Sequence, residues 1–111
     1  KVIRFNAVEP EAQKRYANIA RFLHLEGSTD AELVDALIAH IKGMNAQLNI
    51  PTCIKDYEGG IIDEKEFNDK LATVAELAVG DACTGSNPRS INPEQMAKLL
   101  TCCFYDTEVD F

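Results

Sequence analysis

Apolar residues recur every three or four positions along most of the chain, which is the spacing of helices that bury one face. The first such stretch begins at Pro10, a residue suited to the first turn of a helix, and continues to Leu23. Its apolar positions are Ala12, Tyr16, Ile19, Ala20 and Leu23. The pattern predicts a first main helix over residues 10–23 with these side chains inward.

A second helix is predicted after the break at Gly27 and Ser28. Thr29 followed by Glu32 forms a capping box, in which each side chain satisfies a free backbone N–H group of the other residue. Asn49-Ile50-Pro51 ends the helix, because the residue before a proline avoids the helical region. The apolar stripe comprises Leu33, Val34, Leu37, Ile38, Ile41, Met44 and Leu48.

Two more helices are predicted in the second half of the chain. Asp63 with Glu66 reads as a capping box that opens a helix to about Val79, with Gly80 as its C-terminal glycine. Asn92 caps the last helix, which has Pro93 first and Gln95 as the reciprocal cap. The predicted inward residues are Phe67, Leu71, Val74 and Ala78 in the third helix and Met96, Leu99, Leu100 and Cys103 in the last.

The segments between these helices are short. The sequence predicts a turn of helix at 52–56, a turn at Gly59 and Gly60, a short extended piece at Val2–Phe5, and a loosely held acidic tail at Asp106–Phe111. The chain is therefore predicted to be all-α, with four main helices and one short helix in a single domain over residues 1–111.

Composition and charge exclude several classes of function. Hydrophobic residues make up 46% of the 111 and charged residues 26%, which is typical of a globular protein. The net charge of −7 argues against binding to nucleic acid or to an anionic membrane surface, since both need clustered positive charge. No apolar run is long enough to cross a bilayer.

The four cysteines indicate reduced thiols rather than disulfides. Cys53 and Cys83 are far apart in sequence, and Cys102 and Cys103 are adjacent on a predicted helix, where they point in different directions. None forms the Cys-x-x-Cys spacing of a zinc site. Free thiols favour a cytoplasmic location, and Cys102 and Cys103 are interpreted as core residues rather than nucleophiles.

The histidines and carboxylates do not predict a catalytic site. A catalytic metal needs about three converging ligands, whereas His24 ends a predicted helix and His40 lies mid-helix without a partner at ligand spacing. His24 is expected to cap the helix end, where an imidazolium favours the dipole, and His40 to be exposed. We expect no metal ligand, no cofactor site and no catalytic residue in this chain.

The loop at 81–90 is the strongest candidate for a binding role. Cys83-Thr84-Gly85 permits an unusual or closely approached backbone, Thr84 and Asn87 supply short hydrogen-bonding groups, and Arg89 can pair with a carboxylate or cap the preceding helix. A purely structural loop, closed by an Asx turn at Asn87, explains the residues equally well. The residues alone leave these two interpretations open.

Five segments together resemble one family. The opening "VIRFNA", Tyr16–Ala20 ("YANIA"), the helix stop at Ile50-Pro51, the Glu66-Phe67 stretch leading to Asp81, and the loop "CTGSNPR" are similar in order and spacing to the C-terminal part of the iron-dependent (group III) alcohol dehydrogenases. Each segment is weakly specific, but the ordered set covers nearly the whole chain.

The resemblance implies a helical, dehydroquinate synthase-like C-terminal domain of a longer enzyme. In that family Fe²⁺ and NAD(P) serve the interconversion of alcohols with aldehydes or ketones. The metal ligands and the cofactor fingerprint lie before the segment that matches Lys1, so this chain alone would bind neither and be inactive. The residues expected along the substrate pocket are Cys83, Thr84, Gly85 and Asn87.

The resemblance leaves the subfamily open. Only Val8–Lys14 separates the "RFNA" motif from the "RYANIA" helix, as in single-function members such as lactaldehyde reductase. The tail from Cys103 to Phe111 is more similar to the bifunctional aldehyde–alcohol dehydrogenases. The expected partners are the missing N-terminal part of the same chain and a small alcohol or aldehyde, and the isolated piece is expected to be able to self-associate.

A free-standing helical interaction module is the alternative from another functional class. Three N-terminal caps and continuous apolar stripes predict that the chain can fold alone, and its negative charge would suit a basic partner. A helical metal-binding bundle is disfavoured, because the Glu-x-x-His ligands of such bundles are missing. A large exposed apolar surface would favour the fragment over the module.

Overall fold

The computed structural model describes residues 1–57 and 63–111. The five α-helices are α1 (Val2–Asn6), α2 (Pro10–Phe22), α3 (Asp30–Gln47), α4 (Glu64–Gly80) and α5 (Pro93–Tyr105), with 3₁₀ turns at Ile54–Asp56 and Thr84–Ser86. No strand occurs in these two ranges, so the all-α prediction and the four main helices are confirmed. The turn predicted at Gly59 and Gly60 lies outside the described residues.

Helices α2 and α3 end in the same way, with a left-handed residue that closes the last turn. His24 has φ 56°, and the N–H of Leu25 donates to the carbonyl of Ala20. Asn49 has φ 54° after α3, where the N–H of Ile50 donates to Asn45. Both arrangements are Schellman motifs. His24 thus ends α2 through its backbone, and Asn49 ends α3 before Pro51 is reached.

The helix pair α2–α3 packs through small residues. Ala17, Ala20, Leu33 and Leu37 form one buried cluster, and the alanines allow the two helices to approach closely. Gly27 lies against α3, since a Cβ there would come within 3.0 Å of Leu33. The predicted capping box of Thr29 and Glu32 is present in both directions.

The helix pair α4–α5 packs through aromatic rings. Phe67 stacks on Phe104 with centroids 4.0 Å apart, and the Tyr105 hydroxyl lies 2.8 Å from a carboxylate oxygen of Glu64. The capping box of Asn92 and Gln95 is complete. The capping box predicted at the start of α4 is only half formed. The Asp63 side chain accepts the Glu66 N–H, but the Glu66 side chain does not accept the Asp63 N–H. Gly80 is the last residue of α4 rather than a left-handed residue beyond it.

Residues 2–5 were predicted to be extended, and this prediction was wrong. They form α1, in which the N–H groups of Phe5 and Ala7 donate to the carbonyls of Lys1 and Ile3. The helical turn places Phe5, which is 1% exposed, in a second buried cluster with Leu99 of α5. Since α1 also contacts α2 and α3, it joins the two helix pairs.

The tail was predicted to be loosely held, and this too was wrong. Val109 is buried, and the ring of Phe111 lies 5.9 Å from that of Phe5. The Cys102 thiol donates to the Glu108 carbonyl at 3.2 Å. Lys1 pairs with Asp106 at 2.7 Å, and this hydrogen bond holds the pKa of the Asp106 carboxyl below its ordinary value. The tail therefore packs against α1 and α5.

One arginine joins α1, the loop after α4 and the tail. Nη1 of Arg89 donates to the carbonyl oxygens of Phe5 and Phe111, each at 2.8 Å, and its guanidinium lies 4.0 Å from the centroid of the Phe5 ring. We call this set of three residues the Arg89 clasp. Within residues 1–57 and 63–111, Arg89 takes neither of the two roles that the sequence suggested, a pair with a side-chain carboxylate or a cap on α4.

Several apolar side chains that the helical spacing predicted as inward are exposed. Ile19, Leu23, Met44, Leu48 and Val74 lie on the surface, and their spacing could not reveal this because their helices are apolar on more than one side. Among the large apolar side chains that the structure describes, the largest exposed fractions belong to Phe22 (82%), Leu77 (70%) and Leu48 (69%). No helix in the described part of the chain is long and apolar enough to span a bilayer.

Thr29→Ala tests the cap of α3. The substitution removes the oxygen that accepts the Glu32 N–H, and we expect the free energy of unfolding to fall by about 1 kcal/mol. Ser28→Ala is the matched control, because Ser28 contributes its backbone N–H to Glu32 and the substitution keeps that group. Urea unfolding followed by circular dichroism measures both. Equal stability of the two variants would contradict the role of the cap.

Arg89→Lys tests the clasp. Lysine keeps the charge but lacks the planar fork, so one or both carbonyls lose their donor. We expect a loss of about 1–3 kcal/mol in the free energy of unfolding. We also expect carboxypeptidase to release Phe111 faster than from Arg15→Lys, a control on the exposed side of α2. Unchanged release of Phe111 would show that the tail does not depend on Arg89.

Candidate functional site

Polar side chains of the loop after α4 form hydrogen bonds that hold the first part of the loop in place. Asp81 accepts the N–H of Cys83 at 2.8 Å, which forms an Asx turn. The Thr84 hydroxyl donates to the carbonyl of Ala78 in the last turn of α4 at 2.6 Å, and this carbonyl also accepts the longer backbone hydrogen bond from Asp81 at 3.4 Å. The Ser86 hydroxyl donates to the Cys83 carbonyl at 2.7 Å. This end of the loop is therefore fixed to α4.

The other end of the loop is fixed to α1 by two facing amides. Asn6 Nδ2 donates to Asn87 Oδ1 at 2.9 Å, and Asn87 Nδ2 donates to Asn6 Oδ1 at 2.8 Å. We call this the amide pair. The second amide proton of each asparagine also has an acceptor. Asn6 Nδ2 donates to the Tyr16 hydroxyl at 3.3 Å, and Asn87 Nδ2 donates to the Arg89 carbonyl at 2.6 Å.

The amide pair unites the two sequence features that resemble a known family. Asn6 belongs to the opening "VIRFNA" segment and Asn87 to "CTGSNPR", 81 residues further on. Asn6 is 2% exposed and the only buried polar side chain among the described residues. Sequence reasoning gave Asn6 and Tyr16 no part in the site. The one signal that pointed to Asn6 was its place in that opening segment.

The four predicted pocket residues divide into two sets. Thr84 and Asn87 direct their polar groups into the protein, at Ala78 and at Asn6. The Asx turn that one of the two interpretations assigned to Asn87 is not formed, because the Asn87 side-chain oxygen accepts from Asn6, and Asp81 forms an Asx turn instead. Cys83 and Gly85 are exposed.

Gly85 shows neither a left-handed backbone nor a close approach by another part of the described chain. Its φ lies outside the left-handed range, and no atom of the described chain lies within 4 Å of where a Cβ would be. The described chain therefore uses neither the left-handed backbone nor the close approach that Gly85 would allow.

A groove of about 410 Å³ runs beside the loop. Ser86 and Pro88 form one side and the start of α2 forms the other, through Glu11, Ala12, Arg15 and Tyr16. Because Tyr16 also accepts a hydrogen bond from Asn6, the groove and the amide pair share a side chain.

The remaining cysteines lie away from the loop. All four cysteines are free, and Cys102 is buried in the α5 cluster, as the sequence interpretation expected. Cys53 and Cys103 line an apolar cavity of about 430 Å³ near Lys1. Burial raises the pKa of the Cys103 thiol, so this group is less reactive than an ordinary cysteine. These contacts indicate packing rather than nucleophilic chemistry.

The described residues bring no set of metal ligands together. His24, after α2, and His40, in α3, are both exposed. No group of three histidine, cysteine or acidic side chains converges within residues 1–57 and 63–111.

Comparison with known proteins identifies relatives across almost the whole chain. It is 47% identical to the NADPH-dependent butanol dehydrogenase of Clostridium saccharobutylicum, over 99% of this chain and 27% of that protein. It is 40% identical to the aldehyde-alcohol dehydrogenase of Clostridium acetobutylicum, over 93% of this chain and 13% of that protein. It is 34% identical to the bifunctional aldehyde-alcohol dehydrogenase AdhE of Escherichia coli K12, over 86% of this chain and 11% of that protein.

The chain thus spans less than a third of the length of these relatives. Residues 1–104 match the family model described as the C-terminal part of the Fe-containing alcohol dehydrogenase family. That match includes all five helices except the last residue of α5, together with the amide pair and the loop. The chain therefore belongs to the Fe-containing alcohol dehydrogenase family, of which it carries the C-terminal part.

Proposed function

We propose that this chain is the C-terminal helical part of an iron-dependent alcohol dehydrogenase that interconverts alcohols and aldehydes or ketones with NAD(P). Its own contribution is the loop at 81–90, which forms one wall of the substrate pocket. The observation that carries this proposal is the anchoring of a loop at both ends while Cys83 and Gly85 remain exposed. A loop fixed in this way is suited to holding a ligand at a constant distance from the helices.

The chemistry that the chain's own residues perform is binding and exclusion of water. The iron of the intact enzyme would polarise the alcohol oxygen and the nicotinamide would take the hydride, both held by residues outside this chain. Cys83 and Gly85 would contact the substrate as a wall. Thr84 and Asn87 would set the position of that wall, because their polar groups are already bonded to protein. The chain alone is then inactive.

The relatives support a small primary alcohol or its aldehyde as substrate. Those compared above are named for butanol and for aldehydes, and a 1-propanol dehydrogenase of Citrobacter freundii is 31% identical over 89% of this chain. The higher identity to the butanol dehydrogenase supports a single-function parent. The four free thiols suit a cytoplasmic enzyme.

The exposed apolar surface of the chain supports the missing N-terminal part of the enzyme as its partner. Large apolar side chains are exposed on α2, α3 and α4. The radius of gyration of 15.2 Å exceeds the roughly 13 Å expected for a compact domain of this length. Lys1 lines a groove with Ile3, Ile38 and Ile41, and this groove adjoins the apolar cavity of Cys53 and Cys103. The preceding part of the enzyme would cover these surfaces.

Cys83→Phe tests the pocket wall. In the full-length enzyme the larger side chain would enter the pocket, so we expect the KM for longer alcohols to rise and the substrate range to narrow. Cys83→Ala is the matched control and should leave KM close to that of the unmodified enzyme. Steady-state kinetics over a series from ethanol to hexanol, with NAD and with NADP, measure both. Unchanged kinetics for Cys83→Phe with every alcohol would show that the loop is only structural.

Measurements on the isolated chain distinguish a fragment of a longer enzyme from a free-standing interaction module. Residues 1–111 should self-associate and bind a hydrophobic dye, because apolar surface is uncovered. Adding Leu77→Asp, which places a charge on the most exposed apolar position of α4, should weaken the self-association. Sedimentation and dye fluorescence give the result. A monomer that binds no dye would contradict the fragment and favour the interaction module.

A further inference from the structure

We propose that the amide pair of Asn6 and Asn87 positions the substrate-pocket loop, so that alcohol binding depends on a partly buried hydrogen-bond pair that does not touch the substrate. The inference rests on the proposed function of the loop. It assigns Asn6 and Asn87 as positioning residues of that pocket.

The pair is unusually complete for two neutral side chains. Each amide gives one proton to the other and a second proton to a protein oxygen, at Tyr16 for Asn6 and at Arg89 for Asn87. No buried side-chain nitrogen or oxygen in the described part of the chain lacks a partner. Removing the Asn87 amide would leave the buried Asn6 amide with unmet hydrogen bonds, which is costly in a low-dielectric interior. The pair therefore favours one position of the loop strongly.

The pair acts at the end of the loop that has no other hold on α4. Asp81 and Thr84 fix the start of the loop to that helix. After the 3₁₀ turn at Thr84–Ser86 the backbone becomes extended at Asn87, with φ −65° and ψ 136°. Cys83 and Gly85 lie between these two anchors. Loss of the amide pair would leave Arg89 as the remaining side-chain hold of this end on α1, so the exposed wall would be positioned less tightly without unfolding of α4.

The Arg89 clasp adds a second connection between α1 and the loop. Arg89 receives a hydrogen bond from Asn87 on its carbonyl oxygen while its guanidinium bonds the carbonyl of Phe5, the residue before Asn6. Two neighbouring residues of α1 therefore bond to two nearby residues of the loop. This doubled connection fixes both the position and the orientation of the loop on α1.

The experiment uses the full-length enzyme with Asn6→Ala, Asn87→Ala and the double variant. We expect each single substitution to raise the KM for alcohol roughly ten-fold, with the KM for the nicotinamide unchanged. Because both substitutions break the same pair, the double variant should raise the KM no further than the larger single effect. Asn87 is half-buried, so Asn87→Ala remains informative where Asn6→Ala fails to fold.

Thr101→Val is the control for stability. It removes a side-chain hydrogen bond to the Ala97 carbonyl within α5, away from the loop. It should lower the melting temperature without changing the KM for alcohol. An equal rise of KM in Thr101→Val would overturn the inference, because the effect would then follow stability alone. Additive effects of the two asparagine substitutions would also overturn it.

Cys83→Phe separates failure of the inference from failure of the proposed function. A changed KM in Cys83→Phe together with unchanged KM values in both asparagine variants would overturn the positioning role and leave the pocket wall in place. No effect of Cys83→Phe with any alcohol would remove the pocket wall and, with it, the inference. Maleimide labelling of Cys83 adds a measurement that needs no turnover. Saturating alcohol should slow this labelling in the unmodified enzyme and much less in Asn87→Ala.

Discussion

The hydrogen-bonded junction between α1 and residues 87–89 is the constraint on which the rest of the structure depends. A helix of five residues has too few backbone hydrogen bonds to be stable alone. Here α1 is held by the amide pair on Asn6 and by the Arg89 clasp on Phe5. The same arginine holds the tail through Phe111. Without this junction, α1 and the loop would lose the side-chain hydrogen bonds that join them, and the tail would lose its bond to Arg89.

The junction also suits the loop to the ligand-binding role that we propose for it. A binding wall must stay in place while its outer face remains free of contacts within the chain. The loop meets both conditions, because Asp81, Thr84 and Asn87 use their polar groups inward and Cys83 and Gly85 remain exposed. The polar side chains that suggested ligand contacts in the sequence thus hold the loop itself. The groove beside Ser86 and Pro88 shows that space exists next to it.

Features set by local sequence were predictable. The caps at Thr29 and Asn92 and the four main helices depend on residues within one or two turns, so their spacing was sufficient. The half-formed box at Asp63 shows the limit of such patterns, since Glu66 bonds to Lys70 instead of the N-cap backbone. Which apolar face lies inward was less predictable, because Ile19 and Val74 belong to helices with more than one apolar side.

Features set by distant partners were not predictable. Asn6 and Asn87 are 81 residues apart, and Arg89 reaches Phe5 over 84. No periodicity connects such positions, and so α1 was interpreted as extended and the tail as loose. The candidate loop was found because its residues were unusual for a turn. The sequence could not show which loop residues face the protein and which face outward, because Asn87 faces inward through Asn6, and only the fold brings Asn6 next to the loop.

The central claim is that this chain is part of a longer alcohol dehydrogenase, and a native gel of source-cell lysate tests it most directly. One half of the gel is stained for NAD(P)H formation that requires 1-butanol, and the other half is probed with an antibody against residues 1–111. We expect the antibody band to coincide with an alcohol-dependent band, and the protein in it to be several times heavier than 12.3 kDa after denaturation. An antibody band of 12.3 kDa, separate from every alcohol-dependent band, would contradict the account.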